Sequence, residues 1–320
     1  MFVKFQEDVK RTRYPPGIER VPHMKGSSQK KTYWTVFFFI APGVSFVFFL
    51  TLYPLGRAMW MSVFKVTSDS RTFIGLANYQ RAFQDNLFWL SLWHTLYFTV
   101  ISVSLHYFIG LGFALLLYRL GKSIVSNILR GFLFLPWLFA SAIWCVTWQL
   151  ILHPYFSVLN ALFNSLGISR LSQPWLTDPS LLPLTSLSVL IGLKFFPFHM
   201  VMLFAVLQAI PKELLEVADI DGASSLQKFR SIIWPFLKPV TAIILTIDTI
   251  GSFYYFDVVW ILTKGGPMNK TELLSTYIYK MVFELGSFEY GSSLAILLMI
   301  ILSILMVVYI KFFLREDFEL

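Results

Sequence analysis

Between Lys31 and Arg57 the chain runs for 25 residues without a charged side chain. As a helix that run is about 37 Å long, enough to cross a hydrocarbon core of roughly 30 Å with tilt. Five more charge-poor apolar runs follow it, so six spans are expected near 33–56, 93–118, 131–152, 184–209, 239–262 and 292–312. Composition agrees. Of 320 residues 56% are hydrophobic, 18% aromatic and 14% charged, against roughly 25% charged in a soluble domain. One water-soluble core cannot hide that much apolar surface. The expected class is an all-α integral membrane protein with six transmembrane helices and lipid as its main solvent.

The basic residues set the orientation. Eight Lys or Arg lie in the N-terminal segment 1–32, which is long, polar and Pro-containing and so reads as a retained tail, not a signal peptide. With that end in the cytoplasm, cytoplasmic segments hold seventeen basic residues and outer loops eight, Lys194 lying within a span. The positive-inside rule then puts both termini in the cytoplasm. The expected organisation is a basic tail (1–32), a six-helix domain (33–313) and a short cytoplasmic tail (314–320). Outer loops 57–92 and 153–183 are long enough for short interfacial helices. The net charge of +8 is spread between spans with no stripe of its own, which argues against a nucleic-acid partner.

Catalytic machinery is missing. Gly121-Lys122-Ser123 resembles the end of a phosphate-binding loop, but Leu116 stands where its first glycine belongs and the segment leaves a membrane helix,. The chain contains no GxGxxG, GxSxG or HExxH, and its five histidines are scattered. Its single cysteine, Cys145, excludes an internal disulfide and a cysteine-based metal cluster and reads as a packing residue,. No metal site, cofactor or enzymatic activity is expected in this chain.

The most informative stretch is the cytoplasmic loop 211–238. Pro211 suits a helix start, Glu213 and Glu216 favour the positive end of a helix dipole, and Leu214, Leu215 and Ala218 give the helix an apolar side,. Gly222 permits a sharp turn, and a second amphipathic segment runs through Leu226, Phe229, Ile232 and Ile233 to Pro235,. Such a helix-turn-helix either rests on lipid headgroups or docks into a groove on a cytoplasmic partner. Four acids against Lys212, Lys228 and Arg230 favour the protein partner over anionic lipid,.

Glu216-Val217-Ala218, Gly222, Ile232 and Pro235, at their spacing, resemble the EAA loop of permease subunits in binding-protein-dependent ABC importers. Val217 stands where the family pattern has Ala, and Trp234 where it usually has Leu. The runs 195–200 (FFPFHM), 207–224 and 256–267 (FDVVWILTKGGP) are similar to the maltose-permease-like, sugar-uptake branch. The resemblance implies the type I importer permease architecture. It further implies a second permease, expected as a heterodimer, two ATPase subunits carrying ATP and Mg, and a periplasmic substrate-binding protein. Glu213, Glu216, Ala218, Asp221, Gly222 and Ala223 would then form the contact that couples the ATPase to the spans. The location implied is the bacterial inner membrane.

Charged groups within spans cost about 2.5–3.5 kcal/mol at the centre even on a lenient scale, so they usually face a cavity or a partner. Counting inward at about 1.5 Å per residue puts Asp248 about 15 Å and His199 about 18 Å from the cytoplasmic loop, with Lys194 and Asp257 about 25 and 28 Å deep. Two polar levels are expected along a translocation path, His199 with Asp248 and Lys194 with Asp257. Other fates are open to three of them: Lys194 can snorkel, Asp257 can lie in the outer interface, and His199 can meet a backbone carbonyl. Tyr254, Tyr255 and Trp260 are candidate sugar-stacking residues. Lys194 and His199, with outer residues Arg57, Lys65, Arg71 and Arg81, would suit an acidic oligosaccharide such as alginate. The competing class is an ion channel or proton-coupled carrier using Asp248, His199 and Lys194. A membrane enzyme is more distant.

Overall fold

The computed structural model describes residues 26–67, 70–121 and 123–313. Residues 1–25, Lys122 and the tail 314–320 lie outside them, so most of the expected N-terminal tail and all of the C-terminal one are not described. The chain divides into two units, Met1–Arg57 and Ala58–Leu320.

In the first unit α1 (Gly26–Val47) passes through a π-helical turn (Phe48–Leu52) into α2 (Tyr53–Ser62). Its helix starts within the expected tail. From Tyr33 to Val47 the side chains of α1, half-buried Ala41 apart, are exposed on all sides, with Phe38, Phe39 and Phe46 among them. A helix apolar on every side belongs in lipid.

The second unit begins at Ala58 within α2 and continues into an antiparallel hairpin, β1 (Phe64–Thr67) and β2 (Ser70–Phe73), in register from Phe64↔Phe73 to Thr67↔Ser70. Only helices are expected in this loop. The hairpin forms because the Phe64 and Phe73 rings meet across it at 5.5 Å, an aromatic pair that favours strands. The helix α3 (Ala77–Gln84) follows, and Asn78 Nδ2 donates to the Ser62 and Phe64 carbonyls, fastening the hairpin.

Next come α4 (Asn86–Leu120), α5 (Ile124–Leu138), α6 (Ser141–Ile151), α7 (Val158–Ser165) and α8 (Leu182–Ala209). The expected third span, 131–152, is not straight: α5 and α6 meet at 92°. Pro136 removes a backbone donor near the end of α5,. The bend releases the Phe139 carbonyl, which accepts a hydrogen bond from Lys194 Nζ on α8. A cation at a helix C-terminus also meets the negative end of the dipole. Lys194, 2% exposed, thus mends the broken span and does not snorkel.

The helix-turn-helix expected at the cytoplasmic face contains α9 (Lys212–Ile220) and α10 (Ser225–Lys228), which continues through a π-helical turn (Phe229–Ile233) into α11 (Trp234–Ser252). The fifth span therefore starts at Ser225 and stops at Ser252, not at 239 and 262. Phe253, buried at 1% exposure, turns the chain away, and Asp257 begins a separate helix, α12 (Asp257–Leu262), where a carboxylate suits the N-terminal dipole,. The run after α12 is a tight loop with positive φ at Lys264, Gly265, Met268 and Asn269. It is closed by Thr263–Thr271 and Lys280–Glu272 contacts. Beyond it lie α13 (Leu274–Tyr279), a π-helical turn (Lys280–Glu284) and α14 (Phe288–Phe313). Among the described residues five helices are long and apolar enough to cross a membrane; counting α5 with α6 as one bent crossing makes six.

Lipid is as apolar as leucine, so helices in it associate by close packing at small residues more than by hydrophobic drive. The α4–α8 pair shows this. A Cβ on Gly110 of α4 would fall 2.7 Å from His199 Cβ and 2.9 Å from the Met200 nitrogen, and one on Gly192 of α8 would fall 2.8 Å from Leu105 Cβ. One core cluster packs Phe98 and Cys145 with Leu187, Ile191 and Val259; another packs Leu117 with Leu203, Leu207 and Leu237.

At the start of α4, Asp85 accepts hydrogen bonds from the Leu87 nitrogen and from Tyr277 and Tyr290, joining α4 to α13 and α14. Burial pushes its carboxyl up, but the Tyr277 and Tyr290 hydroxyls, with the Leu87 and Phe88 nitrogens, outweigh that and hold it below its ordinary value of 3.8. A carboxyl lowered by folding stabilises fully above its unfolded pKa and loses that contribution as pH falls through the folded one. Thermal unfolding of the purified chain should therefore weaken between about pH 5 and about pH 3, with a shallower slope for Asp85→Asn. Gly110→Val should lower the unfolding midpoint, by about 1–3 kcal/mol of overpacking. Gly112→Val, where an added Cβ meets nothing within 4 Å, should be mild in the same melt.

Candidate functional site

The helix-turn-helix at 211–238 is built by its own end signals. Pro211 occupies the N-cap of α9. At the other end Gly222, with φ +71°, donates to the Asp219 carbonyl, and Ala223 donates to that of Ala218. These paired bonds form a Schellman stop, whose left-handed residue is normally glycine. Ser224 and Gln227 then cap α10 reciprocally,. An ion pair between Lys228 and Asp219 spans the turn and ties the arms together. Sequence reasoning missed that pair, although both residues flank the glycine.

The two faces of α9 differ. Leu215 and Ala218 are half-buried, while Glu213, Asp221 and Gly222 are exposed and Ala223 is half-buried. Leu214, Val217 and Ile220 project outward, 44%, 56% and 84% exposed. Glu216 lines a cleft of 580 Å³ between α9 and the ends of α4 and α8, with Tyr118, Gln208, Lys212 and Asp219. The element leaves α8 at one end and enters α11 at the other, so displacing it moves both helices.

Within the membrane the structure brings His199 and Asp248 together, Nε2 lying 3.4 Å from Oδ2. It adds a residue that sequence reasoning left among the scattered histidines: His106 of α4 places Nδ1 2.6 Å from the same carboxylate oxygen and Nε2 2.9 Å from the Ile191 carbonyl. A lone histidine inside an apolar run carries no positional signal of its own. His106 and His199 are buried and Asp248 is 11% exposed. Neither ring nitrogen of His199 makes a hydrogen bond. Three donor atoms lie within 4.8 Å of one another, but the 2.6 Å contact has hydrogen-bond length. It is shorter than the separation of about 3.3 Å that two ligands keep around a tetrahedral zinc.

The other expected level does not form. Lys194 is committed to the Phe139 carbonyl, and Asp257 is exposed at the head of α12. No ion pair joins them among the described residues. Tyr254 is 59% exposed beyond the end of α11. Tyr255 packs between Phe98 and Phe195, and Trp260 is enclosed by Phe256 and Tyr279. Cys145 is fully buried in the core.

Residues 107–316 match a family described as the inner membrane component of binding-protein-dependent transport systems. Among curated proteins, the trehalose/maltose transport system permease protein MalF of Thermococcus litoralis is 33% identical over 274 residues, covering 85% of this chain and 91% of that one. The sulfoquinovosyl glycerol transport system permease protein SmoG of Agrobacterium fabrum is 31% identical over 281 residues, covering 87% and 90%. A solved bacterial ABC transporter involved in import of the acidic polysaccharide alginate shares the fold, with TM-score 0.79, 19% identity, and coverage of 91% of this chain and 98% of that one. Nothing in these likenesses supports a channel or a proton-coupled carrier. The chain belongs to the family of inner membrane components of binding-protein-dependent transport systems, as a multi-pass permease subunit.

Proposed function

We propose that this chain is the permease subunit of an ATP-driven importer of a sugar or oligosaccharide in the bacterial inner membrane. It works with a second, similar permease as a heterodimer, two ATPase subunits and a periplasmic binding protein. Both its termini are cytoplasmic. ATP and Mg belong to the ATPases, and this chain has no cofactor of its own. The names of its trehalose/maltose and sulfoquinovosyl glycerol relatives support the sugar class.

The observation that carries the reading is the cytoplasmic element. Its Schellman stop, capping box and Lys228–Asp219 pair make a stiff body, and Val217, Ile220 and Leu226, at 56%, 84% and 64% exposure, offer apolar anchors to an ATPase groove,. ATPase closure displaces this body and with it α8 and α11. Exposed Ile243 and Ile247 of α11, with Tyr254 just beyond its end, form the face turned to the second permease and the path. For an acidic substrate the outer cations are Arg57, Lys65, Arg71 and Arg81, of which Lys65 and Arg81 line a 540 Å³ cavity together with Asn78 and Glu289. Lys194 and His199 are buried and add no charge to an open surface.

Tagged chain purified from its native membrane should bring down an ATPase whose hydrolysis rises when a sugar-loaded binding protein is added. A panel of neutral and acidic oligosaccharides identifies the substrate; transport that persists without any ATPase would refute the assignment. Ile220→Asp should cut stimulated hydrolysis at least about tenfold while the chain stays in the membrane, the size expected for losing a buried interface anchor. Gly222→Val, which forces a β-branched residue to positive φ, should weaken ATPase copurification in the same assay.

A further inference from the structure

We infer that His106 and Asp248 share one proton, and that this proton is a latch holding α11 against the α4–α8 pair. The protonation follows from the contacts. The Ile191 carbonyl, 2.9 Å from His106 Nε2, can only accept, so Nε2 carries hydrogen. A neutral ring in that tautomer presents a lone pair at Nδ1. Asp248 Oδ2, 2.6 Å away, also presents lone pairs when ionised, and two lone pairs at that distance repel. A proton must lie between them, as imidazolium with carboxylate or imidazole with carboxylic acid, and the pair is neutral either way. Neutrality suits the surroundings, since an uncompensated charge among packed apolar helices is costly.

The location makes the pair a latch. Gly110 and Gly192 hold α4 and α8 in backbone contact, whereas α11 is joined to them here by a side-chain bond. On the cytoplasmic side of the bond, α8 and α11 lead into the two ends of the coupling element. The titratable groups facing Asp248 are His106 from α4, His199 from α8 and the Tyr255 phenol beyond α11. Lys194 of α8 points to Phe139 instead. His199 makes no hydrogen bond and does not supply the shared proton. Without that proton a carboxylate would stand opposite a ring lone pair and the bond would be repulsive, so the closed arrangement depends on the proton being held,.

The test is thermal unfolding of the purified full-length chain at neutral pH, with the shared proton sought as a far-downfield proton NMR resonance, for wild type, Asp248→Asn, Asp248→Leu and His199→Gln. Wild type and His199→Gln should show the resonance of a proton held in a short nitrogen–oxygen bond, and Asp248→Asn, whose amide donates to the Nδ1 lone pair, should lose it and keep its stability. Asp248→Leu, which cannot pair with His106, should lose both, its midpoint falling by several degrees, on the order expected for one lost buried interaction. Absence of the resonance in wild type, its loss in His199→Gln, or an Asp248→Leu chain as stable as wild type would each overturn the latch. The test needs no partner subunit or sugar, so its outcome is independent of the transport assignment.

Discussion

The close crossing of α4 and α8 is the contact on which the rest of this fold depends. In lipid, apolar side chains gain little by leaving solvent, and helices must approach closely to hold together. Gly110 and Gly192, one on each helix, permit that approach at two points, where a side chain would collide with backbone or a neighbouring Cβ. His199 lies directly against Gly110, and His106 stands one turn earlier on the same helix. The glycines thus fix both imidazoles before α11 arrives with Asp248.

The spans were legible because lipid imposes a minimum apolar length, and charge-free runs of that length are hard to mistake. The helix-turn-helix at 211–238 was legible for a different reason. Pro211 and Gly222 have narrow backbone preferences, and Ser224 with Gln227 is a local capping pattern. Counting residues along helices brought His199 and Asp248 to one level, since rise per residue is nearly constant. It failed for Asp257 because apolar character does not record where a helix stops, and the chain turns at Phe253. Likewise the β-hairpin depends on pairing between Phe64 and Phe73, which a scan for helical runs does not register. His106 and the Lys194–Phe139 bond are tertiary facts, made by residues 85 and 55 positions apart, with no local pattern to announce them.

Charges within the spans serve backbone and helix contacts. Lys194 satisfies a carbonyl released by a broken helix, and Asp248 meets a histidine from another span. The exposed apolar residues Leu214, Val217 and Ile220 lie instead on α9, the short helix between α8 and α11.

The elbow between α5 and α6 has a consequence for how the protein is made. Its free carbonyl at Phe139 is capped by an amine that leaves the ribosome 55 residues later. While α5 and α6 enter the bilayer, that carbonyl is either in water or pairs elsewhere, and the elbow reaches its final shape only after α8 has inserted beside it. The bond that closes the third crossing thus needs the fourth to be in place.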